Sequence, residues 1–197
     1  MTDLTIFVLA GGKSTRMGAD KASLQWHNTT LLDHAVQLAR SPANAVRVVG
    51  DPQKFSGRQV DVISDIYAGR GPLGGIHAAL RNSSAELNLM IAVDMPLLTV
   101  PLLSYLADRA RQSDAVVAVP KSGGRFQPLC AVYRPAFVDV AERSLQAGKN
   151  KIDPLFAQVK TLVIEGTELT QAGFSPDLFR NVNTPADLEA LRAIREV

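Results

Sequence analysis

Short apolar runs alternate with amphipathic stretches along the first 120 residues of the chain. The apolar runs predict strands at residues 4–10, 45–49, 60–63, 87–93 and 115–119. Apolar positions recur at helical spacing between those runs, which predicts helices at residues 31–40, 76–81 and 100–112. Strands that are apolar on both faces and alternate with helices indicate βαβ units around a mainly parallel sheet.

The remainder of the chain mixes the two patterns, with strands predicted at residues 127–133 and 158–164 and a helix at 135–147. A last helix is predicted from Thr184, because the sequence Thr-Pro-Ala-Asp supplies an N-cap, a proline for the first turn and an acid near the positive end of the dipole. No repeat or linker divides the chain. The sequence therefore predicts one α/β domain over residues 1–197, with a mixed, mainly parallel central sheet.

The composition is that of an ordinary globular protein, with 46% hydrophobic and 20% charged residues in a chain of 197. Lys and Arg number 21 against 19 for Asp and Glu, which gives a net charge of +2. So close a balance gives no reason to expect a nucleic acid or an anionic membrane as the partner.

Cys130 is the single cysteine, which excludes an internal disulfide and a cysteine-rich metal site. Its apolar surroundings predict a place in the core. The N-terminal segment carries Asp3 and no basic region before its short apolar run, so it does not resemble a signal peptide. No apolar stretch approaches the ~20 residues that span a bilayer. We therefore expect a soluble, cytoplasmic protein.

The segment after the first predicted strand begins with Gly11 and Gly12, and three cations follow them: Lys13, Arg16 and Lys21. Glycines free the backbone to approach a ligand, and closely spaced cations suit a polyphosphate. A solvated, glycine-rich turn with incidental charges would also explain the segment. The spacing fits neither the Walker pattern nor the dinucleotide-binding pattern, which disfavours kinase, GTPase and dehydrogenase functions.

A second glycine cluster, residues 65–75, follows the strand predicted to end at residue 63. Gly74 and Gly75 open the next predicted helix, whose N-terminus could face a flat or anionic group. A plain strand-to-helix turn explains this segment equally well.

Asp94 lies directly beyond the most apolar predicted strand, at the edge where parallel sheets bind ligands. A carboxylate there suits Mg²⁺, which proteins commonly hold with one or two carboxylates and substrate phosphates. A turn aspartate before Pro96 is the alternative interpretation. The histidines have no metal-ligand spacing, and His34 and His77 are predicted at the surface or at an interface.

Together these segments resemble the molybdenum cofactor guanylyltransferases, a family of the sugar-nucleotidyltransferase-like superfamily. The resemblance covers about residues 5–192 and consists of five blocks in the family's order. The blocks are LAGGKSTRMGADK (9–21), GPLGGI (71–76), VDMPL (93–97), RFQPL (125–129) and NVNTP (181–185).

The resemblance implies a three-layer Rossmann-like fold and a nucleotidyltransferase that uses Mg²⁺. The enzyme would transfer GMP from GTP to the phosphate of molybdenum-bound molybdopterin and release pyrophosphate. Molybdoenzyme apoproteins and cofactor-delivery proteins are implied as further partners.

The resemblance also implies residue roles. Lys21 and Arg16 would hold the triphosphate, and Asp94 would bind Mg²⁺ and act with them in catalysis. The implied nucleotide pocket consists of Leu9, Ala10, Gly11, Gly12, Asp65, Gly71, Pro72, Leu73, Gly74 and Gly75. The acceptor side would consist of Arg125, Gln127, Asn181 and Asn183.

Two details bear on the subfamily. The paired Gly11 and Gly12 resemble the guanylyl branch, since cytidylyl relatives tend to have Ala-Ala-Gly there. Val93 departs from the pattern, because family members often have a cysteine directly before the metal-binding aspartate. The alternatives are a molybdopterin cytidylyltransferase, a sugar- or alditol-phosphate nucleotidyltransferase and a non-catalytic molybdopterin carrier. A carrier would need neither Lys21 nor Asp94.

Overall fold

A computed structural model of the chain describes residues 3–11 and 20–195. The strands are β1 (Leu4–Leu9), β2 (Gln25–Trp26), β3 (Thr29–Thr30), β4 (Ala45–Val49), β5 (Asp61–Ile63), β6 (Leu87–Ala92), β7 (Val117–Ser122), β8 (Arg125–Phe126), β9 (Cys130–Tyr133) and β10 (Thr161–Ile164). The helices are α1 (Leu31–Arg40), α2 (Pro72–Arg81), α3 (Val100–Arg111), α4 (Phe137–Gln146), α5 (Gly166–Gln171) and α6 (Pro185–Arg195). Short 3₁₀ segments cover Lys21–Ser23, Asp153–Gln158 and Pro176–Phe179.

The central sheet has the strand order β10-β7-β9-β6-β1-β4-β5. β8 lies outside this order and pairs with β7. β1 runs parallel to β4 and β6, while β9 runs antiparallel to β6 and β7. The mixed, mainly parallel sheet expected from the sequence is thereby confirmed. Leu9 is in register with Val49 and Ala92, so β1, β4 and β6 end at one level.

Helices cover both faces of this sheet, because the side chains of its strands alternate between two apolar clusters. In β1, Ile6 and Val8 belong to the cluster under α1, α3 and α6, whereas Phe7 and Leu9 belong to the cluster under α2 and α4. The result is the three-layer arrangement implied by the resemblance.

Local signals set the bounds of α1 as predicted. Thr30 caps the helix by accepting the backbone N–H of Asp33 at 3.1 Å, and Asp33 lies near the positive end of the dipole. The exposed and buried positions of α1 follow the amphipathic pattern of its sequence, with Leu31, Leu32 and Val36 among its buried residues.

α2 differs from its prediction, since it begins at Pro72 rather than residue 76. Gly71 adopts a positive φ of 66° and proline is tolerated in a first turn, so the chain enters the helix before the glycine pair. His77 was expected at the surface or at an interface and is instead 1% exposed, within the fold. The surface prediction for His77 is wrong because α4 covers the outer side of α2.

The strand predicted at residues 127–133 is shorter in the structure, because a turn occupies residues 128–129 and β9 begins at Cys130. Cys130 is fully buried, as predicted, and burial raises the pKa of its thiol to about 12. None of the helices within residues 3–11 and 20–195 has the length and apolar character of a membrane-spanning segment.

Candidate functional site

A cavity of about 220 Å³ opens at the carboxyl ends of β1, β4 and β6. This is the edge at which parallel α/β sheets bind ligands. Several sites predicted from the sequence line it: Leu9, Ala10, Gly11, Lys21, Asp65, Gly71, Pro72, Gly75 and Asp94. Segments that are far apart in sequence thus meet in one place.

Next to the cavity, the hydrogen bonding of the sheet continues past the ends of the strands. The backbone N–H of Ala10 donates to the Val49 carbonyl at 2.9 Å, and the N–H of Val93 donates to the Leu9 carbonyl at 3.1 Å. Gly50 likewise donates to Ile63 at 2.9 Å. These bonds fix the spacing of the turns that carry Gly11 and Asp94.

Lys21 and Asp94 form an ion pair at the centre of the site. Lys21 Nζ lies 2.7 Å from Asp94 Oδ2, and the side chains are 20% and 17% exposed. The same ammonium donates to Asn183 Oδ1 at 3.1 Å. A lysine and a carboxylate separated by 73 positions are therefore held together at the carboxyl edge of the sheet.

Two hydrogen bonds place these groups. The carboxylate of Asp20 accepts the backbone N–H of Ala22, which begins the 3₁₀ segment that carries Lys21. The N–H of Val182 donates to the backbone carbonyl of Asp94 at 2.8 Å, which brings Asn183 to the site. Lys54 Nζ lies 3.0 Å from Asp20 Oδ2 and ties this segment to the loop after β4.

Asp65 forms part of another wall, at the end of β5. Its Oδ1 accepts the backbone N–H of Tyr67 at 3.1 Å, and partial burial raises the pKa of its carboxyl despite that hydrogen bond. Gly74 lies against it: a Cβ there would come within 2.9 Å of Asp65 Oδ1. Glycine is required here so that the helix and the loop can approach closely.

The remaining predicted residues lie elsewhere. Leu73 is fully buried in the core beneath α2, and Gly74 packs on Asp65 without lining the cavity. Arg125 and Gln127 lie at the hairpin formed by β7 and β8, and Asn181 is exposed. Gly12 and Arg16 lie outside the described residues, so their predicted roles stay predictions.

Sequence reasoning missed several cavity residues: Asp20, Val49, Gly50, Ala92, Val93 and Leu129. The strand-end rule would have found Val49 and Gly50, because β4 neighbours β1 in the sheet. Leu129 belongs to the block at 125–129 that carries the resemblance, but it was assigned no role because its turn was predicted as part of a strand.

Asp94 is positioned to hold a cation, since an ammonium group already lies against its carboxylate. Within residues 3–11 and 20–195 there is no group of three or more His, Cys, Asp or Glu residues that could enclose a metal. This donor set fits Mg²⁺, which tolerates a single protein carboxylate when phosphates and water supply the other ligands.

Comparison with known proteins adds three findings. Residues 6–161 match the family described as the MobA-like NTP transferase domain. A probable molybdenum cofactor guanylyltransferase of Carboxydothermus hydrogenoformans is 36% identical over 194 residues, covering 98% of each chain. A molybdenum cofactor guanylyltransferase of Syntrophotalea carbinolica is 35% identical over 94% of this chain and 89% of its own.

Solved structures show the same similarity. The molybdopterin-guanine dinucleotide biosynthesis protein A of Archaeoglobus fulgidus superimposes with a TM-score of 0.86 at 26% identity, covering 98% of each chain. The 2-C-methyl-D-erythritol 4-phosphate cytidylyltransferase of Thermus thermophilus, at 18% identity and a TM-score of 0.68, shares the fold.

Proposed function

Because this chain belongs to the MobA-like NTP transferase family, we propose that it is the guanylyltransferase that matures the molybdenum cofactor. It is a nucleotidyltransferase, and its substrates are GTP and the phosphate of molybdenum-bound molybdopterin. One observation carries the catalytic assignment: Gly11, Lys21 and Asp94 line the same cavity.

The reaction forms one bond and breaks one bond at the α-phosphorus of GTP. A phosphate oxygen of molybdopterin attacks in line, and the bond to the bridging oxygen of the β-phosphate breaks. Pyrophosphate leaves with that electron pair. No general base is required, since the acceptor is already an anion; the site has to reduce anion–anion repulsion and stabilise the charge on the leaving group.

Lys21 supplies a positive charge for this purpose. Its ammonium pairs with the carboxylate of Asp94. With nucleotide bound, we expect the ammonium to turn to the phosphates, while Asp94 holds Mg²⁺. When bound, Mg²⁺ supplies charge neutralisation on the phosphate oxygens. Arg16 is proposed to add a second cation, and the backbone of residues 9–12 is proposed to line the nucleotide.

Asp65 is proposed to select the base. Guanine presents two adjacent N–H donors on one edge, and a carboxylate only accepts hydrogen bonds and can accept both. Gly71, Pro72 and Gly75 form the neighbouring wall, where we place the ribose and the flat base. Cytosine lacks the paired donors, so a site built around Asp65 favours GTP over CTP.

The acceptor is proposed to enter from the side of Asn183, which already contacts Lys21. Arg125, Gln127 and Asn181 are assigned to the same side on the strength of the resemblance alone. The cytoplasmic location, the molybdoenzyme apoproteins and the delivery proteins remain predictions.

Nucleotide competition tests the proposed function. With molybdenum-bound molybdopterin and Mg²⁺, GTP is expected to release pyrophosphate at a kcat/KM at least about 100-fold above that of CTP, ATP or UTP. Preference for CTP would convert the assignment to a cytidylyltransferase. Absence of pyrophosphate release with all four nucleotides would favour the alternative of a non-catalytic molybdopterin carrier.

A further inference from the structure

A partly exposed polar cluster packs around the buried His77, next to the loop that carries Asp65. It consists of Tyr67 on the loop after β5, His77 and Arg81 on α2, and Glu142 on α4. None of these four residues lines the cavity, and none belongs to the sites predicted from the sequence.

The carboxylate of Glu142 joins three separate segments. Its Oε2 is hydrogen-bonded and ion-paired to the Arg81 guanidinium, and its Oε1 accepts the Tyr67 hydroxyl in a long hydrogen bond of 3.4 Å. The guanidinium lowers the pKa of Glu142, which keeps the carboxylate ionised. Glu142 thus connects α4, α2 and the loop that carries Asp65.

His77 does not compete for that carboxylate. Its Nε2 lies 3.9 Å from Glu142 Oε1, and neither ring nitrogen has a hydrogen-bond partner among the described residues. Burial lowers the pKa of the imidazole, so the ring packs as a neutral group. The Tyr67 ring meets it edge-on, with centroids 5.1 Å apart and planes at 75°.

In the loop between β5 and α2, Tyr67 is the residue that packs against the apolar cluster under α2 and α4. Its neighbours Ile66, Ala68 and Gly69 are exposed, with Ile66 at 56%. Asp65 is tied to Tyr67 through the 3.1 Å hydrogen bond to its backbone N–H. A shift of Tyr67 therefore moves the carboxylate of Asp65 relative to the cavity.

We infer that Glu142 is a positioning residue for the nucleotide, acting through Tyr67 on Asp65. The inference rests on the proposed function, in which Asp65 contacts the base. A chain that lost this interaction would keep its fold and its phosphate contacts. It would bind the base less well, because Asp65 would sample other positions.

The structure offers a matched control on the other face of the sheet. Glu168 on α5 accepts the Tyr105 hydroxyl at 2.7 Å and pairs with Arg109 at 2.6 Å. This is the same chemistry of glutamate, tyrosine and arginine, with a similar side-chain exposure of 33% against 28% for Glu142. None of these control residues lines the cavity.

The test measures the GTP dissociation constant by calorimetry and the melting temperature of each variant. Glu142→Ala is expected to raise the dissociation constant about tenfold, and Tyr67→Phe and Glu142→Gln about threefold. Glu168→Ala should lower the melting temperature at least as much as Glu142→Ala and leave the GTP dissociation constant unchanged. Adding Glu142→Ala to Asp65→Ala should cause no further loss, because the carboxylate it positions is absent.

An unchanged GTP dissociation constant in Glu142→Ala would overturn the inference. So would an equal weakening in Glu168→Ala, or additive losses in the double variant. These outcomes are distinct from failure of the proposed function, in which the unmodified chain itself would not prefer GTP.

Discussion

Asp94→Ala is expected to lower kcat at least about 1000-fold while the chain keeps its fold. The carboxylate is the proposed protein ligand of Mg²⁺, and its loss leaves phosphate charge uncompensated at the reacting centre. The fold should survive because the hydrogen bond from Val182 is to the backbone carbonyl of Asp94, which alanine retains. Lys21 also keeps its contact with Asn183.

Pyrophosphate release and the melting temperature together check this expectation. Asp114→Ala is the matched control, because Asp114 forms an ion pair with Lys160 at 2.5 Å and does not line the cavity. Its turnover should stay within about twofold of the unmodified chain. Magnesium-dependent turnover retained by Asp94→Ala would remove Asp94 from its assigned role.

Lys21→Ala is expected to lower kcat/KM about 100-fold, with most of the change in nucleotide affinity. Two effects act in the same direction. The triphosphate loses a cation, and Asp94 loses the ammonium that lies 2.7 Å from it. A carboxylate left without that partner adds negative charge where the phosphates are proposed to bind.

Lys160→Ala controls for the removal of a paired lysine away from the cavity, and it should leave GTP affinity unchanged. Lys21→Arg should recover part of the affinity, since it restores the charge with a different shape. If Lys21→Ala bound GTP and turned it over as the unmodified chain does, the ion pair with Asp94 would be structural only.

The elements that the sequence predicts well are those fixed by local signals. α1 and β4 begin and end where the pattern placed them, because a cap, a clear apolar stripe and a short apolar run define them. Asp94 was found for a similar reason: a long apolar run ends directly before it, and parallel strands place such ends at one edge.

The features that the sequence does not reveal depend on tertiary contacts. Burial of His77 follows from α4 lying over α2, which helical periodicity in α2 alone does not reveal. Asn183 meets Lys21 across 162 positions, and no local pattern encodes that contact. Glu142 gave no signal either, because its importance comes from three segments meeting at one carboxylate.

Magnesium linkage tests the central claim, that Lys21 and Asp94 serve one metal–triphosphate complex. GTP is titrated into the unmodified chain and into Asp94→Ala, each with and without Mg²⁺. We predict that Mg²⁺ tightens GTP binding at least about tenfold in the unmodified chain and has no effect in Asp94→Ala. Without Mg²⁺, the two proteins should bind GTP with similar affinity, or Asp94→Ala should bind it more tightly. An equal gain from Mg²⁺ in both proteins would contradict the account, since the metal would then bind without Asp94.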